Sequence, residues 1–268
     1  MGNRSTPVLL EVMAGSSLYV SVILAFRDRT NRLSQSIRLL AAFAFVAWFY
    51  CAAARITPAL GTKLRDGALL AIDEAMFGQT PAIFCERAAT AWLTDLMSLC
   101  YLTYHLYLFV AVTHAALVPN VASQRLSAYL FTGFAIGFAG YLLVPAIGPA
   151  FAYPELFQRP LPGGAISRGI AEIVVAGSSR YDTFPSLHVL VTCILLDHDW
   201  RHVRRRFWLM AIPSLGLMVS TIYLRHHYAV DVLAALLLFL ALRRTFLKAG
   251  RRAVGSPEMK VGADVLQR

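Results

Sequence analysis

Long apolar stretches alternate with short polar ones along the chain. An apolar stretch of about 20 residues is long enough to cross a bilayer as a helix. Seven segments fit that reading: Pro7–Phe26, Ile37–Ile56, Trp92–Val118, Leu126–Pro149, Pro185–Asp199, Phe207–Leu224 and Tyr228–Leu247. The fifth is short. The stretch Thr57–Ala91 is mixed, with Asp66, Asp73, Glu74, Gly78 and Pro81, and reads as an interfacial helix and loop. Ala150–Phe184 is the longest polar connection and is rich in Pro and Gly. The pattern predicts an all-α polytopic membrane helical bundle with six to seven transmembrane helices. It is expected to form a single integral membrane domain over residues 1–268, without internal repeats.

Basic residues give this bundle a direction. Arg27, Arg29, Arg32 and Arg38 lie between the first and second segments, and Arg125 between the third and fourth. Arg201, Arg204, Arg205 and Arg206 lie between the fifth and sixth, and Arg243, Arg244, Lys248, Arg251 and Arg252 follow the seventh. Loops rich in Lys and Arg stay in the cytoplasm. The N-terminus is therefore expected outside and the C-terminus inside, with a basic cytoplasmic tail over residues 248–268. A multi-pass protein of the cell membrane, plasma or inner, is the expected localisation.

Composition supports the bilayer. The chain is 57% hydrophobic and 15% charged, whereas soluble domains carry about 25% charged residues. That argues against disorder and against an ordinary soluble domain. The net charge of +10 is spread between apolar runs, which suits anionic lipid and not nucleic acid. Cys51, Cys85, Cys100 and Cys193 form no close pair, so neither a disulfide framework nor a zinc site is expected.

The chemistry lies at the expected outer ends of two segments. The fifth opens on Phe184-Pro185-Ser186-Leu187-His188, and the seventh on Arg225-His226-His227-Tyr228-Ala229-Val230-Asp231. His227 and Asp231 are four residues apart and share a helix face. Asp231 is expected to accept the His227 Nδ1–H, leaving Nε2 free as a nucleophile or base. Pro185 is expected at the first helical position. The amides of Ser186, Leu187 and His188 would then form an anion site at a positive dipole end, with phosphate the natural anion. His188 is placed to protonate a leaving oxygen.

These residues resemble the type 2 phosphatidic acid phosphatase superfamily. Phe184 to His188 is similar to its Pro-Ser-Gly-His motif. Ser220 to Asp231 is similar to its Ser-Arg, five residues, His, three residues, Asp motif, with Ser220, His227 and Asp231 in register. The resemblance implies that His227 attacks phosphorus to form a phosphohistidine, Asp231 orients it and His188 is the acid. Leu187 stands where Gly is usual and Thr221 where Arg is usual. The Lys, six residues, Arg-Pro motif is absent, since Ala152 stands seven residues before Arg159-Pro160.

These departures resemble the inositolphosphotransferase branch, typified by inositol phosphorylceramide synthase. The same branch has patterns resembling Asp73…Phe77-Gly78…Pro81, Asp95…Tyr101…His105 and Tyr141…Pro145…Gly148-Pro149. The similarity spans about Ile72 to Leu238, and the catalytic core is expected over about 72–247.

The resemblance implies a membrane lipid phosphotransferase or phosphatase without metal or cofactor, its active site extracytoplasmic among the fourth, fifth and seventh segments. Its partners would be a membrane phospholipid and a lipid alcohol or water acceptor. The alternatives are a lipid phosphate phosphatase of phosphatidate or polyprenyl phosphate type, or a non-catalytic lipid-binding or transport protein.

Other candidates weigh less. Arg180 and Arg225 are expected to supply the missing positive charge at phosphate, with Arg159 and Arg168 as headgroup anchors. Ser186, Ser220 and Tyr228 are candidate substrate contacts. His226 either holds the headgroup or satisfies a carbonyl. His105 with Tyr101, Tyr104 and Asp95 lines the cavity or forms a core network, and a haem site with His114 has no facing partners. Asp197, His198, Asp199 and His202 read as a solvated cytoplasmic helix end and not a metal site. Asp73 and Glu74 read as part of a helix on the outer surface more than as a sugar site.

Overall fold

The computed structural model describes residues 5–29 and 31–254. They form an all-α bundle, 80% helical and without strands among the described residues. The helices are α1 (Ser5–Phe26), α2 (Arg32–Ala59), α3 (Asp66–Phe77), α4 (Pro81–Glu86), α5 (Ala91–Leu117) and α6 (Val121–Leu143). They continue with α7 (Pro149–Ala152), α8 (Ala165–Gly177), α9 (Leu187–His202), α10 (Arg204–Tyr223) and α11 (Ala229–Val254).

Among the described residues, five helices are long and apolar enough to cross a membrane: α1, α2, α5, α6 and α10. Seven were expected. The fifth expected segment is α9, which has 16 residues. At 1.5 Å per residue it is about 24 Å long, short of a hydrocarbon core of about 30 Å. The seventh is α11, which is long but carries Asp231, Arg243, Arg244 and Lys248. The expected tail falls within α11 as far as Val254 and otherwise lies outside the described residues.

The shortness of α9 follows from its place. It is the inner helix of the bundle, packed by α5, α6, α10 and α11. Val189, Leu190, Val191, Ile194 and Leu195 are completely buried. A helix apolar on every side is a core helix, and one enclosed by protein need not match the lipid thickness. By contrast α1 packs only along α2, where Tyr19 stacks on Phe45 with centroids 4.5 Å apart.

Close approach of α6 to α9 depends on a stripe of glycines. Gly133, Gly137 and Gly140 fall on one face, a small-residue pattern that lets membrane helices touch. A Cβ at Gly137 would lie 2.3 Å from Leu187 Cδ2. A Cβ at Gly140 would lie 2.3 Å from the Pro185 ring and 2.9 Å from the Phe184 carbonyl oxygen. Pro185 sits before the helix and not in its first turn, because Ser186 is the N-cap residue of α9.

The far end of α9 is solvated only in part, with Arg201 and His202 exposed as expected but His198 and Asp199 buried. Asp199 is fully enclosed, takes two bonds of 2.6 Å from Arg206 and accepts the Tyr107 hydroxyl at 2.8 Å. Asp197 pairs with Arg201 at 2.9 Å and Arg243 at 2.8 Å. These carboxylates tie α9 to α5, α10 and α11, and no group of three His, Cys, Asp or Glu that could hold a metal ion occurs among the described residues.

Gly140→Ala is expected to cost about 1–3 kcal/mol, the usual range for overpacking, and to lower the thermal midpoint of the detergent-purified protein. Gly169→Ala, in α8 with nothing near its Cβ, is expected to hold or raise it. Equal midpoints for Gly140→Ala and the wild type would contradict this packing.

Candidate active site

The site is assembled at the end of the bundle where α6 stops and α9 and α11 start. The first amides of a helix have no intrahelical acceptor, and α11 finds its acceptors elsewhere in the chain. Ala229 N–H and Val230 N–H donate to the two oxygens of Asp73 in α3, at 3.0 and 2.9 Å. The Thr80 hydroxyl donates to Asp73 at 2.8 Å. Asp73 is 0% exposed, a buried clamp on the inward face of α3, whose other face is exposed as expected of a helix resting on the surface. Asp231 lies at the third position of α11 and accepts the Tyr228 N–H at 2.8 Å, half of a capping box.

A second acid from α3 holds the neighbouring loop. Asp66 accepts the amides of Ile147 and Gly148 at 3.1 and 2.9 Å and the Tyr228 hydroxyl at 3.1 Å. Gly148 has φ 83°, and a Cβ there would lie 2.3 Å from the His226 carbonyl oxygen. The loop before α7 is thereby pressed against the histidine loop. The amides of His226 and His227 both donate to the Thr221 carbonyl at 3.1 Å.

This scaffold sets the His227 ring. Nδ1 lies 2.8 Å from the Thr183 carbonyl oxygen and 3.5 Å from Asp231 Oδ2. A carbonyl can only accept, so Nδ1 carries the proton and neutral His227 keeps its lone pair on Nε2. The acceptor that fixes the tautomer is thus Thr183 and not Asp231 as expected. Asp231 Oδ2 is engaged at the Tyr228 amide, while its Oδ1 is buried without a partner. Nε2 faces the Ser186 hydroxyl at 3.4 Å.

His188 and His227 meet across α9 and α11, ring centroids 5.7 Å apart. Tyr101 and Tyr104 flank His188 at 4.6 Å each, and Tyr101 also contacts His226 at 5.1 Å. His188 Nδ1 is buried without a hydrogen-bond partner. Burial, followed by the neighbouring His227, pushes His226 down to about 4, so His226 is neutral near pH 7. The Ser186 amide is not a free donor as expected, since it donates to the Asp231 carbonyl at 3.3 Å. Those of Leu187 and His188 stand in the first turn of α9, where no intrahelical acceptor exists.

These histidines open into a cavity of about 490 Å³, within the usual range of ligand sites, about 300–1,000 Å³. Its walls come from α2, α5, α6, α8 and the loop before α9. That is a wider set than the three segments expected. His105 lines it, 6.2 Å from His188 between centroids.

The two candidate cations part company. Arg180 lines the cavity, exposed, and no carboxylate pairs with it among the described residues. Arg225 is buried in a different network. It donates to Glu86 at 3.2 Å and to the Arg159 carbonyl at 3.1 Å, and lies 3.9 Å over the Phe157 ring. Its charge is spent on Glu86, a partner 139 residues away.

Two further candidates also lie away from the cavity lining. The Ser220 hydroxyl is buried and donates to the Leu217 carbonyl at 2.7 Å, and Tyr228 is buried against Asp66. Residues that sequence reasoning passed over include the Thr183 carbonyl, Tyr50 and Asp182. The only sequence signal was the position of Asp182 and Thr183 just before the first motif.

A family model described as the PAP2 superfamily matches residues 67–243. The chain belongs to this superfamily, and its apolar helices fit a multi-pass membrane enzyme of the phosphatase type. No curated protein and no solved structure matches it. The matched segment runs from α3 into α11 and leaves out α1 and α2.

Burial pushes the Glu86 carboxyl up. The amides of Arg159 and Gln158 and the Arg225 guanidinium outweigh that effect, leaving it below the ordinary glutamate value. A lowered carboxyl stabilises the fold above its unfolded value and loses that contribution as pH falls through the folded one. Glu86→Gln is therefore expected to lower the thermal midpoint at neutral pH, with the gap to wild type closing on acidification. A gap that is still unchanged at about pH 2 would contradict the assignment.

Proposed function

We propose that this protein is a metal-independent lipid phosphotransferase of the inositolphosphotransferase type, working on the extracytoplasmic face through a phosphohistidine. The observation that carries the reading is the His227 ring. Its Nδ1–H is committed to the Thr183 carbonyl at 2.8 Å, and its Nε2 is turned toward Ser186 and His188.

In the first half-reaction the Nε2 lone pair attacks phosphorus. The phosphorus–oxygen bond to the leaving group breaks, its electron pair stays on oxygen, and that oxygen takes a proton from His188. In the second half His188 removes the proton of the acceptor hydroxyl. The acceptor oxygen attacks phosphorus, and the phosphorus–nitrogen bond returns its pair to His227. Arg180 and the first-turn amides of α9 supply positive field at the transferring group. Asp231 is a positioning residue here, because it caps the start of α11 directly after the loop that carries His227.

A lipid alcohol acceptor gives transfer and water gives hydrolysis. The apolar side chains of α2, α6 and α8 around the cavity suit an acyl chain beside the phosphate, which favours a lipid acceptor. The sequence departures at Leu187 and Thr221 support the same branch.

The test is turnover of labelled phosphatidylinositol and phosphatidate by purified protein, with ceramide or diacylglycerol as acceptor and a chelator present. His227→Ala is expected to lose at least about 10³-fold and His188→Ala about 10²–10⁴-fold, with thermal midpoints near wild type. A new phospholipid made by wild type supports transfer, and free phosphate alone points to a phosphatase. Unchanged turnover in His227→Ala removes the phosphohistidine reading and moves a lipid-binding or transport role ahead.

A further inference from the structure

A second cavity lies at the opposite end of the bundle, where α5 and α9 end and α6 starts. It measures about 430 Å³, within the usual range of ligand sites. Three histidines line it: His114 of α5, and His198 and His202 of α9. His198 stands ten residues after His188 on α9, about 15 Å further along the axis. This cavity is therefore separate from the catalytic one and shares no residue with it.

The facing wall is the start of α6. Asn120 caps it, its Oδ1 accepting the Ser123 amide at 2.9 Å, and the Gln124 amide donates to the Asn120 carbonyl at 3.0 Å. The Val121 and Ala122 amides precede the first intrahelical bond and find no acceptor among the described residues. Both residues line the cavity, and the helix dipole adds positive field there. Helix starts are common; the state of His198 is not. It is 9% exposed and faces the cavity, and its ring nitrogens make no hydrogen bond among the described residues. A buried polar group in that state costs free energy until a partner arrives. The His202 ring lies 4.9 Å away, and His114 is close enough to act on His198 electrostatically. Neither ring is hydrogen-bonded among the described residues.

The carboxylates nearby are already neutralised. Asp199 is held by Arg206 at 2.6 Å, and Asp197 by Arg201 and Arg243 at 2.9 and 2.8 Å. Arg125, exposed one turn along α6, acts electrostatically on His202 and has no carboxylate partner among the described residues. Amide and imidazole donors thus converge from two sides beside an unpaired positive charge, and such a set selects an anion. A carboxylate or a phosphodiester presents two oxygens to it. A phosphate monoester presents three and carries a charge of about −1.5 to −2 at pH 7. We infer that the start of α6 and the three histidines bind a phosphate monoester, carried by a lipid headgroup or by a soluble ester, at the end of the bundle opposite the catalytic histidines. The inference is independent of the phosphotransfer reading.

The experiment is calorimetric binding to the full-length protein in detergent, carrying His227→Ala to suppress turnover, with a chelator present. The probes are dioctanoyl phosphatidate, dioctanoyl phosphatidylglycerol and glycerol 3-phosphate. Phosphatidate is expected to bind at least about tenfold more tightly than the diester phosphatidylglycerol. Adding His198→Gln is expected to weaken phosphatidate at least about tenfold. Val121→Pro removes one amide at the helix position that favours Pro, and Asn120 already has the extended backbone that precedes Pro, with φ −149° and ψ −178°. It is expected to weaken binding severalfold, and it carries the test if His198→Gln does not fold. Adding His188→Ala instead, at the other cavity, is expected to leave the affinity within about twofold. Phosphatidate binding at least about tenfold more tightly than glycerol 3-phosphate assigns the site to a lipid headgroup, and a smaller difference assigns it to soluble esters.

Equal binding of phosphatidate and phosphatidylglycerol would overturn the inference. So would monoester binding that survives both His198→Gln and Val121→Pro. Loss of affinity in His188→Ala with none in those two variants would place the ligand in the catalytic cavity and overturn it as well.

Discussion

Backbone amides at the start of a helix must find acceptors, and at one end of this bundle carboxylates supply them from across the fold. Asp73 holds the first two amides of α11, and Asp231 closes back on the Tyr228 amide. Asp95 takes the Gly164 and Ser167 amides at the start of α8, at 3.1 and 2.9 Å. Asp66 and Glu86 do the same for the chain around Gly148 and Arg159. Buried charge is costly unless fully hydrogen-bonded, and here amide donors and helix dipoles meet it. The chain around Gly148, Arg159 and Gly164 and the start of α11 are each fixed by one of these acids, so the position of His227 depends on residues far away in sequence.

The second constraint is the glycine face of α6. Without side chains at Gly137 and Gly140, Leu187 and Pro185 pack directly on the α6 backbone. That brings the start of α9, and with it His188, to the level of α11. His188 at the start of α9 and His227 in the loop before α11 then face one another over a cavity lined by apolar side chains and by polar ones such as Tyr50, Arg180 and Asp182. The histidines and the apolar side chains of α2, α6 and α8 thus share one cavity.

Part of this was legible in the chain. Local rules serve well where both partners lie on one element. Apolar length marks α1, α2, α5, α6 and α10, whereas His227 and Asp231, expected on one helix face, come within 3.5 Å with His227 in the loop before α11. The rules fail where tertiary partners compete. Thr183 outbids Asp231 for Nδ1, because Asp231 is already engaged at a helix start. Arg225 lies inside the second motif but is captured by Glu86. Asp73 belongs to a surface helix, yet its carboxylate turns inward because α11 starts on it. Asp182 and Tyr50 are 132 residues apart, and no periodicity joins them. The α9 segment was expected to span, yet a helix enclosed by protein answers to its neighbours and not to the bilayer.

The central claim is that His227 Nε2 carries the phosphoryl group between donor and acceptor. The most direct measurement is to quench purified protein in base after brief exposure to phosphorus-labelled lipid, then map the label by mass spectrometry. The account predicts an acid-labile, base-stable phosphoryl adduct on His227, absent from His227→Ala. Label on another residue, or turnover with no labelled protein at any time, would contradict it.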